Sequence, residues 1–220
     1  MARDVLYLQR GKKAMSLIAS RTASETERRQ EAIEELYRVP ENGKAEIIHG
    51  RVVRMSPTGA KPGRTAGKIF ISLSQYEERR SQVEEGVGYA FSDNVGFLVD
   101  LPDRGSFSPD AAWYTGAVGE DEMDFLPGAP AFAAEVRSKG DYGPKAEREI
   151  REKIQDYFAA GTLVVWDVDT RGLDVVKVYR ATSPDVPTIC RRCDVAEAEP
   201  AVPGWTMPVD ELFARPLPAR

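Results

Sequence analysis

The sequence predicts a single α/β domain whose β-sheet is mixed or mostly antiparallel. Its 220 residues, 42% of them apolar, suffice for one domain with an ordinary core. The predicted strands occur in hairpins as well as on either side of helices, which favours a mixed sheet. Neither an internal repeat nor a linker divides the chain. We therefore expect the domain over residues 24–220 and an N-terminal extension over residues 1–23, which lack sustained periodicity.

The elements of the first half follow from caps, turns and spacing. Ser24 and Glu27 form a capping-box pattern that opens a helix ending near Pro40. The segment 44–55 predicts two short strands that turn at His49 and Gly50. After a Pro- and Gly-bearing loop, the apolar spacing predicts a helix over 65–78. Further short strands are predicted over 87–91, 95–99 and 107–114.

The second half begins with an acidic loop over 120–130. We predict a strand over 131–137, a helix over 144–160, and two paired strands over 163–169 and 174–180. The tail, 201–214, is predicted to be extended and to end in a short helical turn.

Composition and charge exclude several classes of protein. No apolar run approaches the ~20 residues of a membrane helix, and two cysteines do not make a disulfide scaffold, so we expect a cytoplasmic protein without a membrane partner. The net charge of −5 divides into +6 over residues 1–80 and −11 over 81–220. Nucleic-acid binding by a basic surface alone is therefore excluded. An acidic centre with a basic flank suits a divalent cation and an anionic substrate, although a solvated acidic surface is the commoner cause.

Two acids stand in apolar strands. Asp110 lies in Ser-Pro-Asp-Ala-Ala-Trp and Glu135 in Ala-Phe-Ala-Ala-Glu-Val-Arg, where strand alternation places Glu135 and Arg137 on one face. Buried acids are rare unless they are paired or bind a metal. On the following helix, Lys153 lies between Ile150 and Tyr157 and therefore faces the sheet.

This constellation is what metal-assisted phosphodiester hydrolysis needs. Asp110, Glu135 and the backbone carbonyl of Val136 would hold Mg²⁺ or Mn²⁺ and leave positions open for water and phosphate. Lys153 would position or deprotonate the water, and we expect a lowered pKa for this lysine. The alternative is that Asp110 and Glu135 form a structural ion-pair cluster with Lys153 or Arg137.

The order of several blocks resembles the restriction-endonuclease-like Uma-two family of the PD-(D/E)XK nuclease superfamily. The blocks are Glu-Ile-Ile-His-Gly (46–50), Met-Ser-Pro-Thr-Gly (55–59), Ser-Pro-Asp-Ala-Ala-Trp (108–113), Ala-Glu-Val-Arg-Ser (134–138), Lys-Ile-Gln-Asp-Tyr-Phe-Ala-Ala-Gly (153–161), Val-Val-Trp-Asp-Val-Asp (164–169) and Pro-Gly-Trp-Thr-Met-Pro-Val-Asp-Glu-Leu-Phe (203–213). The resemblance spans roughly residues 40–214.

The resemblance implies a restriction-endonuclease-like core, in which helices flank a central mixed sheet, and a metal-dependent DNA endonuclease. It implies that Asp110 is the aspartate of the PD motif, that Glu135 is the acid of the second strand, and that Lys153 is a lysine that has migrated onto the helix. Glu46 matches an early glutamate of the family and would be a further site member, or else an exposed strand acid. Tyr157 matches a core aromatic.

Arg137 and Arg64 are the candidates for substrate binding. Arg137 replaces the usual lysine of E-x-K, and Arg64 lies near the position of a family histidine that this chain lacks. The missing E-x-K and the acidic net charge favour a second hypothesis, a catalytically weak relative that binds nucleic acid or a protein partner. Cleavage of two strands predicts a homodimer.

Two other motifs give weaker indications of function. Cys190 and Cys193 form a lone C-x-x-C without the further ligands that a structural zinc needs, so we interpret them as a coincidental pair. The loop at 56–68 does not fit the phosphate-loop pattern, which excludes that class of nucleotide hydrolase.

Overall fold

The structure is a computed structural model that describes residues 24–40, 43–83, 87–119, 121–171 and 175–213. The predicted N-terminal extension lies outside the described residues. The helices are α1 (24–37), α2 (Ala60–Ser81), α3 (Pro144–Ala159) and α4 (Val209–Leu212). The strands are β1 (Ala45–Ile48), β2 (Arg51–Arg54), β3 (Tyr89–Ser92), β4 (Phe97–Leu98), β5 (Ser106–Phe107), β6 (Ala111–Tyr114), β7 (Leu126–Pro127), β8 (Phe132–Val136), β9 (Val164–Asp169), β10 (Val175–Arg180), β11 (Ser183–Cys190), β12 (Val195–Glu197) and β13 (Thr206–Pro208).

A six-stranded sheet organises the molecule, with the strand order β11-β10-β9-β8-β6-β3. Only β8 and β9 pair in parallel, and the other neighbours are antiparallel. The predicted mixed sheet flanked by helices is therefore confirmed. Smaller sheets pair β1 with β2, β12 with β13, and β5-β4-β7.

Both faces of the large sheet are covered. On one face, Ile69 and Leu73 of α2 pack with Trp166 and Trp205 in a core that includes the C-terminal segment. On the other face, Ile154 and Tyr157 of α3 pack with residues of the β5-β4-β7 sheet. The alternation of β8 supports this division, because Ala134 belongs to the first core and Ala133 to the second.

Several elements differ from their predicted bounds. Helix α2 begins at Ala60 rather than at Thr65, because Pro62 lies in the first turn, where no intrahelical N–H donor is needed. The predicted strand over 107–114 is two strands separated by Ser108–Asp110. The acidic loop contains β7, and the unpredicted β11 is an edge strand, where its prolines are tolerated.

The strand directions bring the ends of three strands together at one edge of the sheet. The parallel strands β8 and β9 end at the same edge of the sheet, and β6, antiparallel to β8, begins there. Residues just before β6 and at the end of β8 are therefore neighbours. In the described part of the chain, no helix is long and apolar enough to cross a membrane.

Candidate active site

Asp110 and Glu135 lie side by side at this edge. Ala111 of β6 pairs with Ala134 of β8, and the Asp110 amide donates to the Ala134 carbonyl at 3.0 Å. The Val136 amide donates to Asp110 Oδ2 at 2.7 Å. The ladder thus fixes both the backbone and the carboxylate of Asp110 beside Glu135.

The two carboxylates have different electrostatic surroundings. Burial raises the pKa of Asp110 above its ordinary value; Lys44 opposes this shift and Glu135 adds to it. Burial also raises the pKa of Glu135, but Lys153 and Lys44 outweigh burial and the pKa is lowered. Glu135 is therefore the better stabilised anion of the pair.

Lys153 reaches the site from α3, as the helical spacing predicts. Its Nζ lies 2.8 Å from Glu135 Oε1 and 2.8 Å from Glu46 Oε1. The expectation of a lowered pKa is wrong: burial alone would lower the pKa of Lys153, but Glu135 and Glu46 raise it. The ammonium is thus a fixed positive charge rather than a ready proton acceptor.

Glu46 is buried, so the alternative of an exposed strand acid is wrong. Its Oε2 accepts from Arg104 at 2.8 Å, and its Oε1 accepts from the Ser108 amide at 2.9 Å and meets Lys153. Both oxygens are therefore occupied by donors, and Glu46 anchors Lys153 instead of facing a ligand.

Tyr157 is a core aromatic with a polar function as well. Its ring stacks on Phe107 with centroids 3.9 Å apart, and its hydroxyl donates to Glu135 Oε1 at 2.6 Å. Lys153 and Tyr157 contact the same oxygen, so among the described residues these contacts leave Glu135 Oε2 open to a ligand.

Lys44 is the main site residue that the sequence analysis missed. Its Nζ lies 2.6 Å from Asp110 Oδ1 and 2.8 Å from Asp93 Oδ1. Burial would lower the pKa of Lys44, but Asp110, Glu135 and Asp93 raise it, so the side chain stays charged. Strand alternation places Lys44 and Glu46 on one face, and that pattern could have identified Lys44 as a site residue.

The predicted substrate-binding residues lie in different environments. The Arg137 side chain is only 4% exposed, and it forms ion pairs with Asp167 and Glu147 that lock it between the sheet and α3. Arg137 shares the α3 face with Glu135, as predicted, but it is buried and four of its five N–H donors bond to Asp167 and Glu147, which argues against its assignment as a phosphate ligand. Arg64 lies on α2 and is exposed.

The acid pair fits a magnesium ion better than a zinc ion. Among the described residues, no three His, Cys, Asp or Glu side chains are arranged to hold a metal. Mg²⁺, however, is commonly bound by one or two carboxylates and retains several water ligands. Asp110, Glu135 and the Val136 carbonyl supply hard oxygen donors of this kind.

The net charge of the ion pairs around Asp110 and Glu135 also favours the binding of a divalent cation. Ion pairs link five carboxylates with three cationic side chains, which leaves two excess negative charges in the described site. The carboxylates are Glu46, Asp93, Asp110, Glu135 and Asp156, and the cations are Lys44, Arg104 and Lys153.

A pocket of about 140 Å³ opens beside the acid pair. Its wall includes Gly63 and Gly67 of α2 on one side and Asp93, Asp110 and Val136 on the other. The pocket gives small ligands access to the Asp110 carboxylate. Cys190 and Cys193, far along the chain, are both free thiols, one buried and one exposed.

The structure is thus an α/β protein in which a mixed six-stranded sheet carries paired carboxylates and lysines at one edge. The model of the Uma2 family, described as "Putative restriction endonuclease", matches residues 31–210. The chain therefore belongs to the Uma2 family, as its sequence blocks predict.

A solved structure supports the fold. The chain is similar to a protein from Anabaena variabilis whose title calls it a putative nuclease belonging to DUF820. The TM-score is 0.59 at 16% identity, with 83% of this chain and 97% of the other covered. No curated protein matches the sequence.

Proposed function

We propose that this protein is a divalent-metal-dependent endonuclease that hydrolyses phosphodiester bonds in DNA. The observation that carries the proposal is that Asp110, which lines an open pocket, lies beside Glu135, with two excess negative charges around the two acids. The three cationic side chains of the site offset only part of the charge of its five carboxylates, and a divalent cation would balance the remaining two negative charges.

In this proposal, Asp110, Glu135 and the Val136 carbonyl hold Mg²⁺ or Mn²⁺. When bound, such a metal polarises a phosphoryl oxygen and activates a water. Asp110 contributes Oδ1, since Oδ2 accepts from the Val136 amide. Glu135 contributes Oε2, since Lys153 and Tyr157 contact Oε1.

Lys153 serves this site as a fixed positive charge. It neutralises Glu135 and Glu46 and holds Glu135 in one rotamer through the 2.8 Å contact with Oε1. Its raised pKa argues against the role of a general base. The water would instead lose its proton through the metal.

The substrate would lie across the edge of the sheet. Exposed cations flank the site there: Lys61, Arg64, Lys139 and Arg171. Arg64 keeps its proposed role as a phosphate contact, and Arg137 is proposed instead to position α3. We further propose a cytoplasmic homodimer, because two copies of the site would cut both strands.

The test is the conversion of supercoiled plasmid DNA in Mn²⁺ or Mg²⁺. The wild-type protein should nick or cleave the plasmid, EDTA should stop the reaction, and Asp110→Asn should lower the rate by about 100-fold or more. Asp100→Asn is the matched control, because it removes the same charge from a side chain that is 81% exposed.

Both variants should retain the wild-type circular-dichroism spectrum. If the folded wild-type protein binds DNA but does not cut it in any of several metals, the proposal is wrong and the binding-protein hypothesis takes its place. Equal cleavage by Asp110→Asn would also reject the site, since it would indicate a contaminating nuclease.

A further inference from the structure

Lys44 is paired with Asp110 through Oδ1, the oxygen by which we propose that Asp110 holds the metal. Asp110 Oδ2 accepts a hydrogen bond from the Val136 amide, and Lys44 Nζ lies 2.6 Å from Oδ1. A cation that binds Asp110 through Oδ1 would lie within a few ångströms of the ammonium, where two positive charges repel strongly in a partly buried site. Lys44 and a divalent ion therefore compete for one position.

The surroundings of Lys44 allow it to leave. Its backbone is anchored, since the Met55 amide donates to the Lys44 carbonyl at 2.8 Å, but its side chain is long and reaches a second acceptor. That acceptor is Asp93, whose Oδ1 lies 2.8 Å from Nζ and whose side chain is 44% exposed. Asp93 can retain the ammonium at the rim of the pocket when Asp110 changes partner.

Lys153, in contrast to Lys44, has no partially exposed second acceptor among its described ion pairs. It lies between Glu135 Oε1 and Glu46 Oε1, and Glu46 is buried. Its second partner is therefore interior, away from the pocket. Because Oε2 of Glu135 is open, a metal could bind Glu135 without displacing Lys153. The two lysines at the acid pair thus have different mobility.

We propose, on the basis of the metal-dependent function above, that Lys44 is a resident counter-ion of Asp110 which a divalent cation displaces towards Asp93. Lys44 holds the carboxylate in place before the metal arrives and lowers the affinity of the site for that metal. Metal binding then frees an ammonium at the pocket, within reach of an anionic substrate. Lys44 is in this sense a positioning residue that competes with the cofactor.

The test is isothermal titration calorimetry with MnCl₂ and no substrate. Lys44→Met should bind Mn²⁺ about tenfold more tightly than the wild-type protein, because the competing charge is gone. Lys145→Met is the matched control, since it removes the same charge from a side chain on α3 that is 83% exposed, and its affinity should stay within about twofold. Should Lys44→Met fail to fold by thermal melting, Lys44→Gln carries the same expectation.

The outcomes separate this inference from the proposed function. Binding of Mn²⁺ by the wild-type protein, with no tighter binding by the folded Lys44 variants, overturns the inference and leaves the nuclease proposal standing. Absence of Mn²⁺ binding in every variant overturns both. A crystal structure with Mn²⁺ on Asp110 gives a second readout: Lys44 Nζ should be more than about 4 Å from Oδ1, outside ion-pair distance, and an unchanged contact would contradict the displacement.

Discussion

Glu135 is held by two donors of different kinds. The Lys153 ammonium and the Tyr157 hydroxyl both contact Oε1, at 2.8 Å and 2.6 Å. These contacts fix the carboxylate through a single oxygen, and among the described residues they leave Oε2 without either donor. Because Glu135 and Glu46 together raise the pKa of Lys153, we expect this lysine to contribute through its charge.

Substitutions of Lys153 test whether this residue contributes a positive charge or accepts a proton. Lys153→Met should lower kcat for plasmid cleavage by about 10²-fold, the usual cost of one charge-stabilising donor. Lys153→Arg should recover activity to within about tenfold of the wild-type rate, since a guanidinium keeps the charge but cannot act as a base. The measurement is kcat for both variants, with Lys145→Met as the control. A Lys153→Arg enzyme as slow as Lys153→Met would reassign Lys153 as the general base.

The acids of the site could be predicted from the sequence, but most of their partners could not. Asp110 and Glu135 stand in apolar stretches of sequence, and helical spacing predicted that Lys153 faces the sheet. Arg104 and Asp93 lie in irregular segments near short strands, where no periodicity fixes the direction of a side chain. Their contacts depend on tertiary packing, which the local sequence does not encode.

At the scale of elements, α3 is attached to the rest of the fold by ion pairs along its length. Glu147 near its start pairs with Arg137, Lys153 pairs with Glu135, and Asp156 near its end accepts from Arg104 at 2.6 Å. These pairs determine where Lys153 lies relative to the acid pair. Arg137 is therefore placed to position α3 rather than to bind phosphate.

The pair at the start of α3 predicts a pH-dependent contribution to stability. The hydrogen bonds from Arg137 lower the pKa of Glu147 below its ordinary 4.5. Its stabilisation is therefore present above that pH and is lost as the pH falls through the lower folded-state value. Glu147→Gln should cost about 0.5–1 kcal/mol at pH 7, a modest amount because the Glu147 side chain is 40% exposed.

Urea unfolding of the wild-type protein and of Glu147→Gln measures this contribution. The difference in the free energy of unfolding should be constant from about pH 8 to pH 6 and should shrink as the pH falls below 4.5. A difference that grows on acidification would contradict the assigned direction of the shift. Glu149→Gln, exposed on the same helix, is the control and should change stability by less.

The long elements were predictable and the short pairings were not. Helix α3 and strands β8, β9 and β10 have strong periodicity or continuous apolar runs, and their observed bounds agree with the predicted ones to within a residue or so. Strand β7 has two residues inside an acidic loop and exists because Phe97 of β4 pairs with Leu126. Such a strand is defined by its partner, so local sequence cannot reveal it.

At the scale of the whole molecule, three loops meet beside the acid pair. The hydroxyls of Thr58 and Ser138 are 2.5 Å apart, and Lys61 donates to the Thr170 carbonyl at 2.5 Å. The loops surround the edge where β8 and β9 end, and the exposed cations proposed to contact the substrate lie on these loops and on the first turns of α2. An acidic chain with a net charge of −5 thus presents a local basic rim at the site.

This rim predicts how DNA binding depends on salt. Each phosphate contact contributes about −0.9 to the slope of log K against log salt concentration. The double variant Arg64→Gln/Lys139→Gln should weaken binding of a short labelled duplex and reduce the magnitude of the slope by about 2. The matched control, Lys145→Gln/Arg148→Gln, removes two exposed charges from α3 and should leave the slope unchanged. Fluorescence anisotropy in EDTA, which prevents cleavage, measures both slopes over a range of KCl concentrations. Equal slopes for the two double variants would place the nucleic acid on another face of the molecule. A reduced slope for Arg64→Gln/Lys139→Gln alone would locate the DNA backbone beside Asp110 and Glu135.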